Sequence, residues 1–351
     1  MEIAHQSNFL GQTELAVPPI VFGSSSFGNL YEVVPYESKL ETAREWFAQM
    51  SGQVVIDSAG KYGAGLALES LGNVLRDLQI DPERVVISNK LGWKRVPMKN
   101  GQITFEKDVW FGLEYDAESH ISYQGILDCY EQGLKLLGQP YGTQLVSVHD
   151  PDEYLMAADG AEDYESRFQN IVEAYRALDE LKKEGEVAAI GIGSKDWTFI
   201  EKVSEHVKLD WIMLACSLTP YTHDEKLLRF IEKCHATNIS IINSAVFNGG
   251  FLMGGDYFDY RRLDPVEDEV IYQWRSRFHE TCDEYDVKPY EACVQFGMQL
   301  DGVVATALNT TKPHRIAGNI AAVAAKIPSE FWLNCQNQEL IAPYYPIHTQ
   351  V

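Results

Sequence analysis

The chain is short of positive charge. Its 351 residues hold 29 Lys and Arg against 51 Asp and Glu, a formal charge of −22. A phosphate-backbone binder needs a basic footprint, so a nucleic-acid partner is excluded. A hold on an anionic membrane surface is excluded on the same ground. No apolar run approaches the ~18 residues of a membrane-spanning helix. The first residues lack a basic region followed by an apolar run, so no secretory signal is read there. The six cysteines form no C-x-x-C pair, and they read as reduced core thiols of a cytoplasmic protein. The nine histidines show no H-x-x-x-H or His/Cys spacing, so no metal site is expected. No G-x-G-x-x-G turn follows the first apolar run, which counts against a doubly wound dinucleotide fold.

What the chain does have is alternation. Short apolar runs rich in Val and Ile cover 18–24, 53–58, 84–90, 144–149, 187–193, 211–216, 239–245 and 303–308. Strands buried on both faces have this pattern. Amphipathic stretches at 38–50, 66–78, 122–138, 166–185, 197–207, 224–238, 266–286 and 312–325 follow them in turn. Eight strands, each followed by a helix, predict an α/β chain folded as a closed (β/α)8 TIM barrel. The whole of 1–351 is expected to be one barrel domain, with a hairpin cap at 8–17 and a C-terminal extension at 329–351. Two connections are long, 91–120 after strand three and 247–265 after strand seven. They hold Trp93, Trp110, Phe111, Tyr257 and Tyr260, and long loops at the C-terminal mouth of a barrel point to substrate lining.

The polar residues at three consecutive strand ends converge on that mouth. Asp57 ends strand two and Tyr62 follows in DSAGKYG; Lys90 ends strand three; His149 ends strand four. A tyrosine is a poor acid or base at neutral pH, but a nearby ammonium favours its phenolate. Asp57 would hold Lys90, Lys90 would lower the pKa of Tyr62, and His149 would bond the substrate oxygen. Such a set suits hydride transfer at a carbonyl or hydroxyl carbon, with a cofactor as the hydride carrier. A barrel glycosidase needs two facing carboxylates, and beside Asp57 only Asp150 is in place.

With these residues in order, the chain resembles the aldo-keto reductase superfamily from LGQTELAV to PHRIAGN. The resemblance implies a catalytic set of Asp57, Tyr62, Lys90 and His149. It implies that KPHRIAGNI addresses the adenosine end of NADP through Arg315 and Asn319, with Asn309, Thr310 and Thr311 at the phosphates. Gly23 and Ser194 would also contact the cofactor, Ser194 at the nicotinamide amide. Met213 and Cys216 stand where the family has a Gln and a stacking aromatic, so Cys216 is expected against the nicotinamide. Asn309 and Gly318 replace the family's cofactor-motif Lys and Glu. Arg315, Lys312 and His314 restore positive charge for a 2′-phosphate, so NADP is favoured and NAD is expected to serve as well. From Gly302 to Ser329 there is no Asp or Glu.

A narrower likeness, in SYQGILDCYEQGLKLLG, INSAVFNGGFL and IAGNIAAV, is to the D-threo-aldose, L-fucose and L-galactose 1-dehydrogenases and the related pyridoxal dehydrogenases. It implies oxidation of an aldose at the anomeric carbon to a lactone. Trp93, Trp110, Phe111 and Asn248 are then the expected sugar contacts. A general NADPH-dependent aldehyde or ketone reductase and a non-catalytic cofactor-binding regulatory subunit are the alternatives. The partner is a small sugar or aldehyde, and the chain is expected as a monomer or homodimer.

Overall fold

The structure, a computed structural model, describes residues 7–259 and 261–347. Tyr260 and the last four residues of the C-terminal extension lie outside the described residues. Eight parallel strands close into a barrel: β1 (Ile20–Gly23), β2 (Val54–Ala59), β3 (Val85–Leu91), β4 (Leu145–His149), β5 (Ala189–Ser194), β6 (Trp211–Ala215), β7 (Ser240–Ser244) and β8 (Val303–Leu308). Each predicted run forms a strand, because residues apolar on both faces need a helix layer outside and a packed interior within. Val21, Val55, Val86, Leu145, Trp211, Met213, Ile242 and Ala305 fill that interior. Gly191 makes room for the largest of them: a Cβ there would lie 2.3 Å from the Trp211 indole.

Ten helices matter to the layout: α1 (Tyr36–Gln49), α2 (Leu66–Asp77), α3 (Tyr123–Leu137), α4 (Ala161–Lys183), α5 (Trp197–Ser204), α6 (Glu225–Ala236), α7 (Glu269–Glu284), α8 (Pro289–Met298), α9 (Ile316–Ala322) and α10 (Ser329–Asn337). Gly185 stops α4 as its stop signal implies, with φ +80°. The helix expected at 266–286 is α7, and α8, which the apolar spacing does not mark, follows it. Asp286 leaves the helical region at φ +53°, and Pro289 opens α8 at a first-turn position, where a missing N–H costs nothing. It is α8 that packs on β8. The expected helix at 312–325 is a 3-10 turn, Pro313–Arg315, followed by the short α9.

The segment at 8–17 forms an antiparallel pair, Asn8–Phe9 with Ala16–Val17. Its Leu10 and Val17 are wholly buried and join the interior cluster from the N-terminal end. The long connection after β3 carries strands of its own, Trp93–Pro97 paired with Tyr115–Ser119. The connection after β7 holds a 3-10 segment, Asn248–Met253, and a two-residue ladder, Tyr257–Phe258 with Arg261–Arg262. No helix among the described residues is long and apolar enough to cross a membrane. All six cysteines are buried and unpaired.

Candidate active site

Strand register brings the polar strand ends together. Gly23 of β1 lies opposite Asp57 of β2, which lies opposite Ser88 of β3. Lys90 of β3 is two residues further along and opposite Ala59 and Ser147. His149 closes β4 opposite Gly193. Side chains two apart on a strand share a face, so Ser88 and Lys90 both reach Asp57. Lys90 Nζ donates to Asp57 Oδ2, and Ser88 Oγ donates to Asp57 Oδ1 at 3.1 Å. Lys90 Nζ also donates to the Tyr62 hydroxyl at 3.0 Å. The Tyr62 ring stands edge-on to the His149 ring, centroids 5.4 Å apart, and 5.8 Å from that of Trp110.

Burial sets the protonation states. Burial pushes the Tyr62 phenol above its ordinary value, and the Lys90 charge opposes this without reversing it. The sequence led to a lowered Tyr62; the fully enclosed ring is the reason it is raised. Burial pulls Lys90 down, but the Asp57 charge and then Tyr62 outweigh it and the ammonium is held above its usual range. Burial, then the Lys90 and Lys61 charges, hold His149 well below its usual value, so the imidazole is neutral at neutral pH.

These groups line a cavity of about 1020 Å³. Ligand pockets run to ~1,000 Å³, so there is room for a dinucleotide and a small substrate. Its wall also takes in Asn309, Thr310, Thr311, His314, Arg315 and Asn319, within the acid-free stretch. No carboxylate among the described residues pairs with Arg315. The same wall takes in Gly249, Gly250, Met253, Gly254 and Gly255 from the connection after β7. Gly250 and Gly254 have φ +94° and +92° with open space where a Cβ would stand. Two residues one turn apart on α7 hold this segment from behind. Arg275 donates to the carbonyls of Phe251 and Gly255 at 3.0 and 2.9 Å, and His279 Nε2 lies 2.7 Å from that of Leu252.

Residues 19–338 match the profile of the Aldo/keto reductase family. The chain belongs to that family. It is an oxidoreductase. A pyridoxal 4-dehydrogenase of Microbacterium luteolum is 28% identical, over 97% of this chain and 99% of its own. A D-threo-aldose 1-dehydrogenase of a Pseudomonas species is 25% identical, over 93% and 95% respectively. An aldo-keto reductase of Bacillus halodurans, solved in a holo form, shares the fold at a TM-score of 0.67, with 19% identity over 99% of both chains.

In this aldo-keto reductase the cavity wall takes in most of the expected residues and leaves out four. Asp57, Tyr62, Lys90, His149, Gly23, Ser194, Cys216 and Trp110 line it, with Asn309–Thr311, Arg315 and Asn319. Lys312 does not; it is exposed, because the turn at Pro313 directs it to solvent. Trp93 is turned by its hairpin pairing toward Phe105, centroids 5.9 Å apart. Phe111 is 40% exposed on the outer side of the same connection. Asn248 is wholly buried, and its amide bonds Asp259 at 3.1 Å inside the loop after β7. The Asn309 amide is engaged as well: it donates to Ser25 and accepts from Ser26, both at 2.9 Å, tying the turns after β1 and β8. Cys216 sits at φ +61°, and burial followed by the nearby Asp259 raises its thiol well above the usual range.

Lys61, Glu106, Lys195 and Tyr31, to which the sequence analysis assigned no role, are on the wall as well, with glycines of the 247–265 connection expected to line it. Two signals were in view. Lys61 directly precedes Tyr62, and the paired glycines of NGGFLMGG mark backbone left bare.

Proposed function

We propose that the enzyme oxidises the cyclic hemiacetal of an aldose at its anomeric carbon to a lactone, with NADP favoured over NAD as the cofactor. The observation that carries this reading is the Asp57–Lys90–Tyr62 chain, with His149 beside it, on the wall of a cavity that Arg315 also lines. The relatives' names point to one chemistry, since aldoses and pyridoxal both carry a hydroxyl that can close on the aldehyde. Ser194, Thr310, Thr311, Arg315, Asn319 and the backbone of Gly249–Gly255 would hold the cofactor, and the bare glycine surface and the uncompensated Arg315 charge suit a phosphate-bearing dinucleotide. When bound, the nicotinamide supplies the hydride acceptor.

The chain's own residues handle the proton. Tyr62, as phenolate, takes the anomeric hydroxyl proton. Lys90 stabilises that phenolate across 3.0 Å, and Asp57 fixes Lys90. Neutral His149 donates to the same oxygen. Trp110 offers an aromatic face for the C–H side of a sugar ring.

A raised Tyr62 makes oxidation depend on pH. Oxidation needs the phenolate, so kcat/KM for the hemiacetal is expected to climb by about tenfold per pH unit on the alkaline side of neutrality. Carbonyl reduction needs the phenol and is expected to stay level there, falling only once Tyr62 ionises. Paired pH–rate profiles check this, and an oxidation rate level from neutral to alkaline pH would remove Tyr62 as the base.

The protonated Tyr62 favours a second reading, an NADPH-dependent aldehyde reductase. A panel of aldoses and aldehydes with NAD and NADP in turn separates the two. Lactone trapped as hydroxamate from an aldose is the expected result. Turnover only of aldehydes with NADPH would establish the second reading instead.

A further inference from the structure

Lys61 sits in the turn after β2, immediately before Tyr62. Its side chain is 2% exposed, yet its ammonium meets three carboxylates: Glu106 at 2.8 Å, Asp150 at 2.9 Å and Glu153 at 3.0 Å. The Trp93 ring lies 4.9 Å from it on another side. Glu106 comes from the connection after β3, and Asp150 and Glu153 from the start of the connection after β4. Lys61 is therefore a node between three consecutive connections at the barrel mouth. Burial pulls its pKa down, but the charges of Asp150, Glu106 and Glu153 outweigh that, and the ammonium stays charged.

Two of the three acids each govern a ring that faces the cavity. Glu106 accepts from Trp110 Nε1 at 2.6 Å, and Trp110 is the ring over Tyr62. Asp150 Oδ2 stands 3.5 Å from His149 Nε2. His149 Nδ1 is buried, with no hydrogen-bond partner among the described residues, so Nε2 is the cavity-side nitrogen. The negative Oδ2 makes no hydrogen bond to Nε2 at this distance, but its charge favours the tautomer that carries the proton there and leaves that proton free for a substrate oxygen. Asp150 holds this position with φ +46°, a conformation that non-glycine residues rarely adopt. Its ion pair to Lys61 keeps it in place.

We propose that Lys61 is a positioning residue for both substrate-side rings: through Asp150 it keeps the His149 proton on Nε2, toward the substrate oxygen, and through Glu106 it holds Trp110 over Tyr62. This rests on the reading of His149 as the group that orients the reacting oxygen. It does not depend on which hemiacetal or aldehyde is turned over.

The charged and titratable groups facing His149 are Lys90 from β3, Lys61 and Tyr62 from the turn after β2, Asp150 and Glu153 after β4, and Lys195 after β5. Lys61→Met removes one cation and leaves Asp150 and Glu153 without their shared partner. Both changes favour the imidazolium. The His149 titration is therefore expected to move up by about one pH unit or more. In 15N-histidine spectra of the cofactor-free protein, the signal lost in His149→Gln identifies the residue and reports its tautomer. With substrate, Lys61→Met is expected to raise KM and lower kcat by about tenfold each, since small misplacements of orienting groups are costly. Cofactor affinity, read by NADPH fluorescence, is expected to stay within about twofold because none of the Lys61 partners is a residue proposed for the cofactor. Lys61→Arg keeps the charge and should recover much of the His149 titration.

An unmoved His149 titration and tautomer in Lys61→Met would overturn the proposal. If that variant does not fold, Asp150→Asn and Glu106→Gln test the two arms one at a time. Asp150→Asn should shift the His149 signal and spare Trp110 fluorescence; Glu106→Gln should do the reverse. Identical behaviour of both variants to the parent would also overturn it. A shifted His149 in a protein that oxidises no hemiacetal would sink the aldose reading and leave the positioning role standing.

Discussion

Tyr62→Phe is expected to lower kcat by on the order of 10³-fold while leaving cofactor affinity within about twofold. The substitution removes one oxygen and keeps the ring. The edge-on contact with His149 and the packing against Trp110 need only that ring. Lys90 loses its 3.0 Å partner but retains Asp57, so the buried ammonium is still paired. What disappears is, among the described residues, the one hydroxyl bonded to Lys90 that can exchange a proton with a substrate oxygen in the cavity. The residues proposed for the cofactor, Thr310, Thr311, Arg315 and Asn319 among them, do not include Tyr62. A coupled absorbance assay and an NADPH fluorescence titration on the same preparation give both numbers. Turnover near that of the parent would move the proton transfer to another residue. Lost cofactor binding would mean that the hydroxyl has a structural role. A parent protein that binds NADPH and turns over no carbonyl or hydroxyl compound would support the regulatory-subunit alternative.

The barrel was legible in the sequence because its signal is local. A run such as Val85–Ile87 is apolar on both faces, and the strand it opens, Val85–Leu91, is buried at all seven positions, as a strand covered on both sides must be. Asp57, Lys90 and His149 were legible because each is a polar residue at or near the end of an apolar run; His149 does close β4, whereas β2 and β3 run on past Asp57 and Lys90 to Ala59 and Leu91. The helix α8 was harder to read: it starts only a few residues after α7 ends, and only Pro289 marks the new start. The substrate side was the least legible. Trp93, Phe111 and Asn248 have the right chemistry and the right loops, but which way a loop residue points is set by contacts far away in sequence. Trp93 is fixed by pairing with Ser119, and Asn248 by Asp259. Lys61 shows the converse. Its three carboxylates lie as far as 92 residues along the chain, and nothing at Lys61 itself announces them. The protonation of Tyr62 belongs to this class too, since the ammonium beside it was visible in the sequence and the enclosure that outweighs it was not.

Lys90→Met should cost both stability and chemistry, and the two losses can be separated. Lys90 and Asp57 are each about 4% exposed, and their ion pair is backed by Ser88 on the second carboxylate oxygen. Removing one member of a buried pair leaves the other charged and unsolvated, which destabilises by about 3–5 kcal/mol. The denaturation midpoint in urea is expected to fall accordingly. A second substitution, Asp57→Asn, removes the stranded charge, so the double variant should regain most of the lost stability. Activity should not return with it. Without the ammonium, burial acts on Tyr62 unopposed by its main counter-charge, and the phenol rises further. Oxidation at neutral pH, which needs the phenolate, should then fall by more than carbonyl reduction, which needs the phenol. A double variant that recovers stability and still oxidises at the parental rate would show that Lys90 serves only to neutralise Asp57. A stable double variant that has lost oxidation, and lost less of reduction, places Lys90 in the proton transfer itself.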